Sequence, residues 1–297
     1  MPRLRRRSRA YCNDANVTME PTSDNLDRAT VRDFGREWRR FDQSGVSRAE
    51  MEQTFREYFA IFPWESLPRD AVGFDAGCGS GRWAAMVAPR VGRLHCVDAS
   101  AEALATAEKN LLGVKNVRFH QVALDAMPLP ESGMDFGYSL GVLHHLPDPQ
   151  AGLAACVKKL KPGAPMLIYI YYAFDNRPAW FRLLWRTSDL LRRAISKAPF
   201  SVKSVIAEIC AALLYWPLAR AAKLFERLGF DVDAWPLSAY RWRSYYSMRN
   251  DALDRFGTRL EHRMTKTQIR TIMEGAGLRD ITFSSAVPFW CAVGRKA

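Results

Sequence analysis

An α/β chain built on a doubly wound, mostly parallel sheet is what the sequence predicts, on three observations. Five strand-and-helix units follow one another between residues 71 and 172, and that alternation favours parallel strands covered by helices on both faces. The first unit is a short apolar strand closing on Asp75, a turn with glycines at 77, 79 and 81, and an alanine-rich helix start. A last helix and a final strand pair come only at the C-terminus, after an interruption over residues 177–263.

In chain order, a helical pattern begins at Thr30 with Phe34, Trp38 and Phe41 spaced by four and three. It continues in a second stripe, Phe55, Tyr58, Phe59 and Phe62, until Pro63 ends it. Residues 30–70 therefore form a helical segment that either packs as core or serves as a lid over a ligand. The strand beginning at Ala71 is followed by a second at Arg93–Asp98, a helix at Ala101–Leu112 and a strand at Val117–Ala123 that ends near Asp125. Asp135–Ser139 reads as the fourth strand, followed by Gly141 through His144 and His145. The next helix runs from Pro149 to Leu160, stops at Lys161-Pro162-Gly163, and precedes a fully buried strand at Pro165–Tyr172. Near the C-terminus Thr265-Lys266-Thr267-Gln268 has the form of a capping box, and Gly275-Ala276-Gly277 closes that helix. Ile281–Phe283 and Phe289–Gly294 read as the last strands, so the α/β domain comprises residues 71–176 and 264–297.

Composition sets the class. The chain has 297 residues, 48% apolar and 25% charged, which excludes disorder throughout. Six cysteines form no C-x-x-C pair and no Cys/His cluster, so neither a disulfide framework nor a metal site is expected, and a cytoplasmic setting fits. The net charge of +12 is local. Arginines 3, 5, 6, 7 and 9 supply five charges, and residues 177–230 carry ten basic against three acidic side chains. Removing these from the 43 basic and 31 acidic residues of the whole chain leaves 28 of each. Residues 1–29 are expected to be a disordered basic tail, either a solvated leader or an arm for polyanions. No apolar stretch follows the arginines as a secretory signal would require. The longest uncharged stretch of the aromatic-rich region, Ile209–Ala219, is 11 residues and contains Pro217, so no membrane span is expected.

The chemistry begins at the glycine turn. Glycines permit positive φ and let a ligand approach the backbone. A bare G-x-G-x-G says little, but Asp98 stands 17 residues after Gly81 at a strand end, where a carboxylate can take both hydroxyls of a ribose. With Asp75-x-Gly77-Cys78-Gly79-x-Gly81, Asp98, Asp125-Ala126 before Pro128, Leu143-His144-His145 after the fourth strand, and Leu160-Lys161-Pro162-Gly163, the chain resembles the class I S-adenosylmethionine-dependent methyltransferases. The resemblance is to their small-molecule, ubiquinone-pathway-like group. It implies a Rossmann-like seven-stranded sheet of order 3-2-1-4-5-7-6 with strand 7 antiparallel, N-terminal helices, and a helical insertion after strand 5. A nicotinamide-binding turn would need a third glycine where Arg82 stands.

The resemblance implies roles. Asp75, Ala76, Gly77, Cys78, Gly79 and Gly81 would line the methionine half of S-adenosylmethionine. Asp98 would accept from the ribose with Ala99 stacking on adenine, Asp125 and Ala126 would meet the adenine edge, and Ser139 and Leu140 would hold the aminoacid moiety through backbone atoms. For a hydroxyl acceptor, His144 and His145 are the candidate bases, with a structural cap beneath the cofactor as their other reading. Trp38, Tyr171, Tyr172, Arg241 and Tyr245 are the candidate acceptor contacts.

The insertion, residues 177–263, interleaves Trp180, Phe181, Leu183, Leu184, Trp185, Leu190 and Leu191 with arginines. It is expected to cap the acceptor pocket. It also suits pairing with a second subunit, an anionic acceptor pocket, or a surface peripheral to a membrane that meets a lipid-linked substrate. The expected acceptor is a small molecule, a sugar, natural product or lipid-linked intermediate. The alternative is RNA, contacted by the basic insertion, but no RNA-binding module is recognisable and nucleic acid is not the expected partner.

Overall fold

The computed structural model describes residues 23–297; the arginine-rich residues 1–22 lie outside the described residues, and with them most of the expected tail. Residues 23–29 are not tail. Ser23 Oγ donates to Asp125 Oδ2 at 2.6 Å, and Asn25 exchanges hydrogen bonds with the backbone of Asp148 at 2.7 and 2.9 Å. Asp27 then caps helix α1 (Arg28–Arg40) by accepting from Thr30 N.

Seven strands form one sheet: β1 (Val72–Ala76), β2 (Arg93–Asp98), β3 (Val117–Gln121), β4 (Phe136–Leu140), β5 (Pro165–Tyr169), β6 (Leu278–Phe283) and β7 (Cys291–Lys296). Their order is β3-β2-β1-β4-β5-β7-β6, with β7 antiparallel to both of its neighbours. This is the Rossmann-like sheet that the motifs imply. Central strands are covered on both faces, which is why Phe136 to Leu140 are buried without alternation. The covering helices start where a side chain can satisfy a free N–H: α2 (Arg48–Tyr58) at Ser47, α4 (Ala101–Asn110) at Ser100, α5 (Pro149–Lys159) at Asp148 with Pro149 following, and α10 (Lys266–Gly275) at the Thr265/Gln268 capping box. The helix after the glycine turn, α3 (Ala84–Val87), is a single turn.

The insertion is helical: α6 (Ala179–Ile195), α7 (Phe200–Cys210), α8 (Trp216–Arg227) and α9 (Tyr245–Gly257). Pro217 does not break the chain's course, since a π-turn at Ala211–Tyr215 joins α7 to α8 in one helix over Phe200–Arg227. A wider turn accommodates the missing N–H and the proline ring, which would otherwise strike the carbonyl one turn earlier. By length and composition this helix could cross a membrane, contrary to the expectation that no stretch would, and only 33% of its apolar window is buried.

The N-terminal helices and the insertion share a core. Phe41 packs with Ala207, Ala211, Tyr215, Met248 and Phe256 in a cluster separate from the two that flank the sheet. Lys203, nearly fully buried, bridges Asp33 of α1 at 2.7 Å and the carbonyl of Gly257 at 2.9 Å. Helices distant in sequence are thereby joined into one roof above the carboxyl ends of the parallel strands.

Candidate active site

Beneath that roof lies a cavity of about 680 Å³. Its floor is the first βα turn. Gly77 and Gly79 take φ values of +81° and +53°; a Cβ at 77 would come within 2.4 Å of Val142, and one at 79 within 2.8 Å of the Trp38 indole nitrogen. Only glycine fits where the turn passes so close to α1 and the β4 loop. Gly81 serves another purpose, since its bare Cα lies against Ala107 and Leu111 of helix α4 and its C-cap.

Asp98, at the end of β2, holds the turn. Its Oδ2 accepts from Gly79 N at 2.9 Å and its Oδ1 from Ser100 N at 2.8 Å. Burial pushes its pKa up, and these backbone donors oppose the shift. Asp75 is buried in β1 with Oδ2 lacking a hydrogen-bond partner, and burial raises its pKa to about 8. A strand-end carboxylate with lone pairs to spare, beside a turn of bare backbone, suits a ligand carrying a ribose.

Of the residues expected to bind the cofactor, Gly77, Cys78, Gly79, Asp98, Ala99 and Leu140 line the cavity. Asp75, Ala76, Gly81 and Ser139 lie behind its wall; Ser139 Oγ donates to Ala76 O at 2.9 Å, fastening β4 to β1. Asp125 and Ala126 sit in a 3-10 turn outside the lining, with the Asp125 carboxylate facing Ser23.

The histidines separate. His144 is fully buried, outside the lining, its ring centroid 4.0 Å from that of Tyr171 at a tilt of 33°, with neither ring nitrogen partnered; burial holds its pKa well below the usual value. It is a packing element, which corrects its candidacy as a base. His145 lines the cavity. Its Nδ1 lies 2.7 Å from Leu260 O; a carbonyl only accepts, so Nδ1 carries the proton and Nε2 keeps a free lone pair. Nε2 has no protein partner, and burial lowers the pKa, so the ring is neutral near pH 7.

Among the expected acceptor contacts, Trp38, Tyr171 and Tyr172 line the cavity, whereas Arg241 and Tyr245 do not. Arg241 is held by Glu226 at 2.8 Å and Asp233 at 3.3 Å, and the Tyr245 ring lies edge-on to Trp216. Both belong to the scaffold of the insertion; aromatic and basic residue types alone did not reveal which way they point.

Helix α9 contributes what sequence reasoning missed. Asn250, Asp251, Asp254 and Arg255 line the cavity with Glu37 of α1. Tyr171 donates to Asp254. Burial raises the Asp251 pKa to about 6 and that of Glu37 well above its ordinary range. Arg82 lies over the Trp38 ring at 5.4 Å and Arg263 over Tyr171 at 5.0 Å, so cations stand among these acids. The available signal was a run of polar side chains on the same helical turns as the buried Met248, Ala252 and Phe256.

Residues 74–163 match the family described as Methyltransferase domain. The sheet order and the glycine turn agree with this match and with the resemblance to class I S-adenosylmethionine-dependent methyltransferases. Over 107 residues the chain is 34% identical to a ubiquinone biosynthesis O-methyltransferase of Pseudomonas fluorescens, covering 35% of this chain and 44% of that one. It is 39% identical over 104 residues to an uncharacterised Synechococcus protein, covering 33% of this chain and 24% of that one. The chain thus spans less than half the length of these two relatives. Human N-acetylserotonin methyltransferase, solved with S-adenosylmethionine, superimposes with a TM-score of 0.51 at 18% identity, over 91% of this chain and 58% of that one, and shares the fold.

Proposed function

We propose that the chain transfers the methyl group of S-adenosylmethionine to oxygen or nitrogen of a small-molecule acceptor. The observation that carries this reading is the continuity of one cavity, from Gly77, Gly79 and Asp98 on the floor to Glu37, His145, Asp251 and Asp254 in the roof. When bound, S-adenosylmethionine supplies a methyl already activated by a positive sulfur, so the protein has mainly to align the acceptor and exclude water.

The residues divide that work. Gly77 and Gly79 present bare backbone, and Asp98 offers its remaining lone pairs to ribose hydroxyls. Tyr171, Trp38 and Tyr172 wall the acceptor. His145 Nε2 accepts the proton of a hydroxyl acceptor, while the Leu260 carbonyl fixes the tautomer that makes this possible. The ubiquinone-pathway relative supports a small molecule over RNA. So does the engagement of several of the insertion's cations, since Arg192, Lys203 and Arg249 are tied to acids and Arg220 donates to the carbonyls of Arg241 and Arg243. The five described cysteines are free thiols, which supports a reducing compartment.

Calorimetry with S-adenosylhomocysteine, followed by a panel of phenols, sugars and amines with methyl-labelled S-adenosylmethionine, tests the reading. Cofactor binding with transfer to one acceptor class is expected; absence of cofactor binding would overturn it.

A further inference from the structure

The outer face of the roof is apolar and open. On α6, Trp180, Leu183, Leu184, Leu190 and Leu191 are exposed, with spacings of three, four and seven that place them in one stripe. The other long helix carries a second stripe through Val205, Ile209 and Leu213; Leu190 and Leu213 are each 69% exposed. Monomeric soluble surfaces rarely expose so many large apolar side chains together.

Charge says what covers this face. Arg182 and Arg186 of α6 are exposed one turn apart beside the leucine stripe, whereas the helix's one acid, Asp189, is buried and held by both Arg192 and Arg193. An apolar stripe edged by arginines complements an interface that is apolar within and anionic at its rim. The helix Phe200–Arg227 cannot serve by crossing the bilayer. Its opposite side packs Ala207, Ala211 and Tyr215 into the core with α9, and Glu208 is bound to Arg40 and Arg249. It can lie in the plane of the membrane with its outer face immersed.

The same surface runs into the cavity. Leu184 of α6 and Leu214 and Leu218 of the other helix are exposed and also line the cavity, so both apolar stripes border it.

We propose that α6 and the α7–α8 helix dock the protein on an anionic lipid bilayer. There the cavity receives an acceptor with an apolar tail, a statement of substrate class that rests on the methyltransferase reading above.

Vesicle co-flotation tests docking without any turnover, so its failure is distinguishable from failure of the enzymatic reading, which calorimetry with S-adenosylhomocysteine reports. The full chain is expected to float with phosphatidylcholine vesicles containing phosphatidylglycerol at low salt, and about thirtyfold more weakly with phosphatidylcholine alone, as the two exposed arginines Arg182 and Arg186 at a charged surface imply. Leu190→Glu with Leu213→Glu, both outside the cavity lining, should lose flotation and keep S-adenosylhomocysteine affinity. Arg182→Glu with Arg186→Glu should lose only the preference for anionic vesicles. Wild-type protein that floats with neither vesicle, or a leucine variant that floats like wild type, overturns the proposal. So does sedimentation showing a wild-type dimer that the leucine variant converts to monomer without vesicles, since a second copy would then cover this face.

Discussion

Asn250 Nδ2 donates to Glu37 Oε1 at 2.6 Å, a buried hydrogen bond between helices 213 residues apart in the chain. It stitches the N-terminal helix to the insertion directly over the cavity, and it holds a carboxyl group that burial keeps protonated well above its ordinary value of 4.5. A folded chain that retains this proton longer than the unfolded one is fullest in stability below that value and loses stability as pH climbs through the folded pKa. Glu37→Gln preserves a partner for Asn250 and abolishes the titration. Thermal melts should therefore show the variant gaining on wild type as pH rises from 4.5, with no such gain below; a constant difference would remove Glu37 as the titrating group.

Asp98→Ala should release Gly79 N and Ser100 N and remove the ribose acceptor together. Charge-assisted hydrogen bonds contribute about 1.5 to 3 kcal/mol each, so cofactor affinity should fall at least a hundredfold by calorimetry. Unchanged affinity would detach Asp98 from the cofactor.

His145→Ala and His144→Ala should fail differently. Loss of a positioned base lowers turnover by about 10² to 10⁴ with cofactor binding intact, and that is the outcome expected at His145 for a hydroxyl acceptor. Because burial lowers its pKa, wild-type turnover should stay level from neutral pH down past 6.5 and fall only below that, when Nε2 takes up a proton. His144→Ala leaves a hole beneath Tyr171 and should show as a lowered melting temperature. Equal losses of cofactor affinity in both variants would make the pair structural and redirect attention to Asp251.

Asp33→Ala would strand Lys203 in the roof with one carbonyl as its partner. Breaking a buried pair by removing one side costs about 3 to 5 kcal/mol, which chemical denaturation should register. Asp33→Ala combined with Lys203→Met should recover most of the loss.

The sheet was legible because its signals are local. Strand lengths, caps such as Thr265/Gln268 and the glycine turn each lie within a few residues, and β2 runs over the predicted Arg93–Asp98. The cofactor half of the cavity was legible for the same reason. The acceptor half was not, since it is assembled from α1, α9 and the end of β5, and nothing within the Asn250 to Asp254 segment says that its polar face turns inward. Arg241 and Tyr245 show the converse. Their residue types suit ligand contact, yet partners supplied by α8, and for Arg241 also by Asp233, hold them elsewhere.

One residue's worth of extra winding at Ala211–Tyr215 sets the phase of the long helix. Ala207, Ala211, Tyr215 and Ala219 are all buried at intervals of four, and in a regular helix of about 3.6 residues per turn each such step would drift about 40° around the axis. The wider turn takes up that drift like a vernier and keeps the small residues aimed at α9 on both sides of Pro217. Pro217→Ala removes the demand for the wider turn, so the full-length segment should wind regularly through Ala211–Tyr215 and rotate everything beyond it. That would swing Trp216 and Leu218 off the outer face and reshape the cavity wall, although neither the floor nor the histidine had been altered.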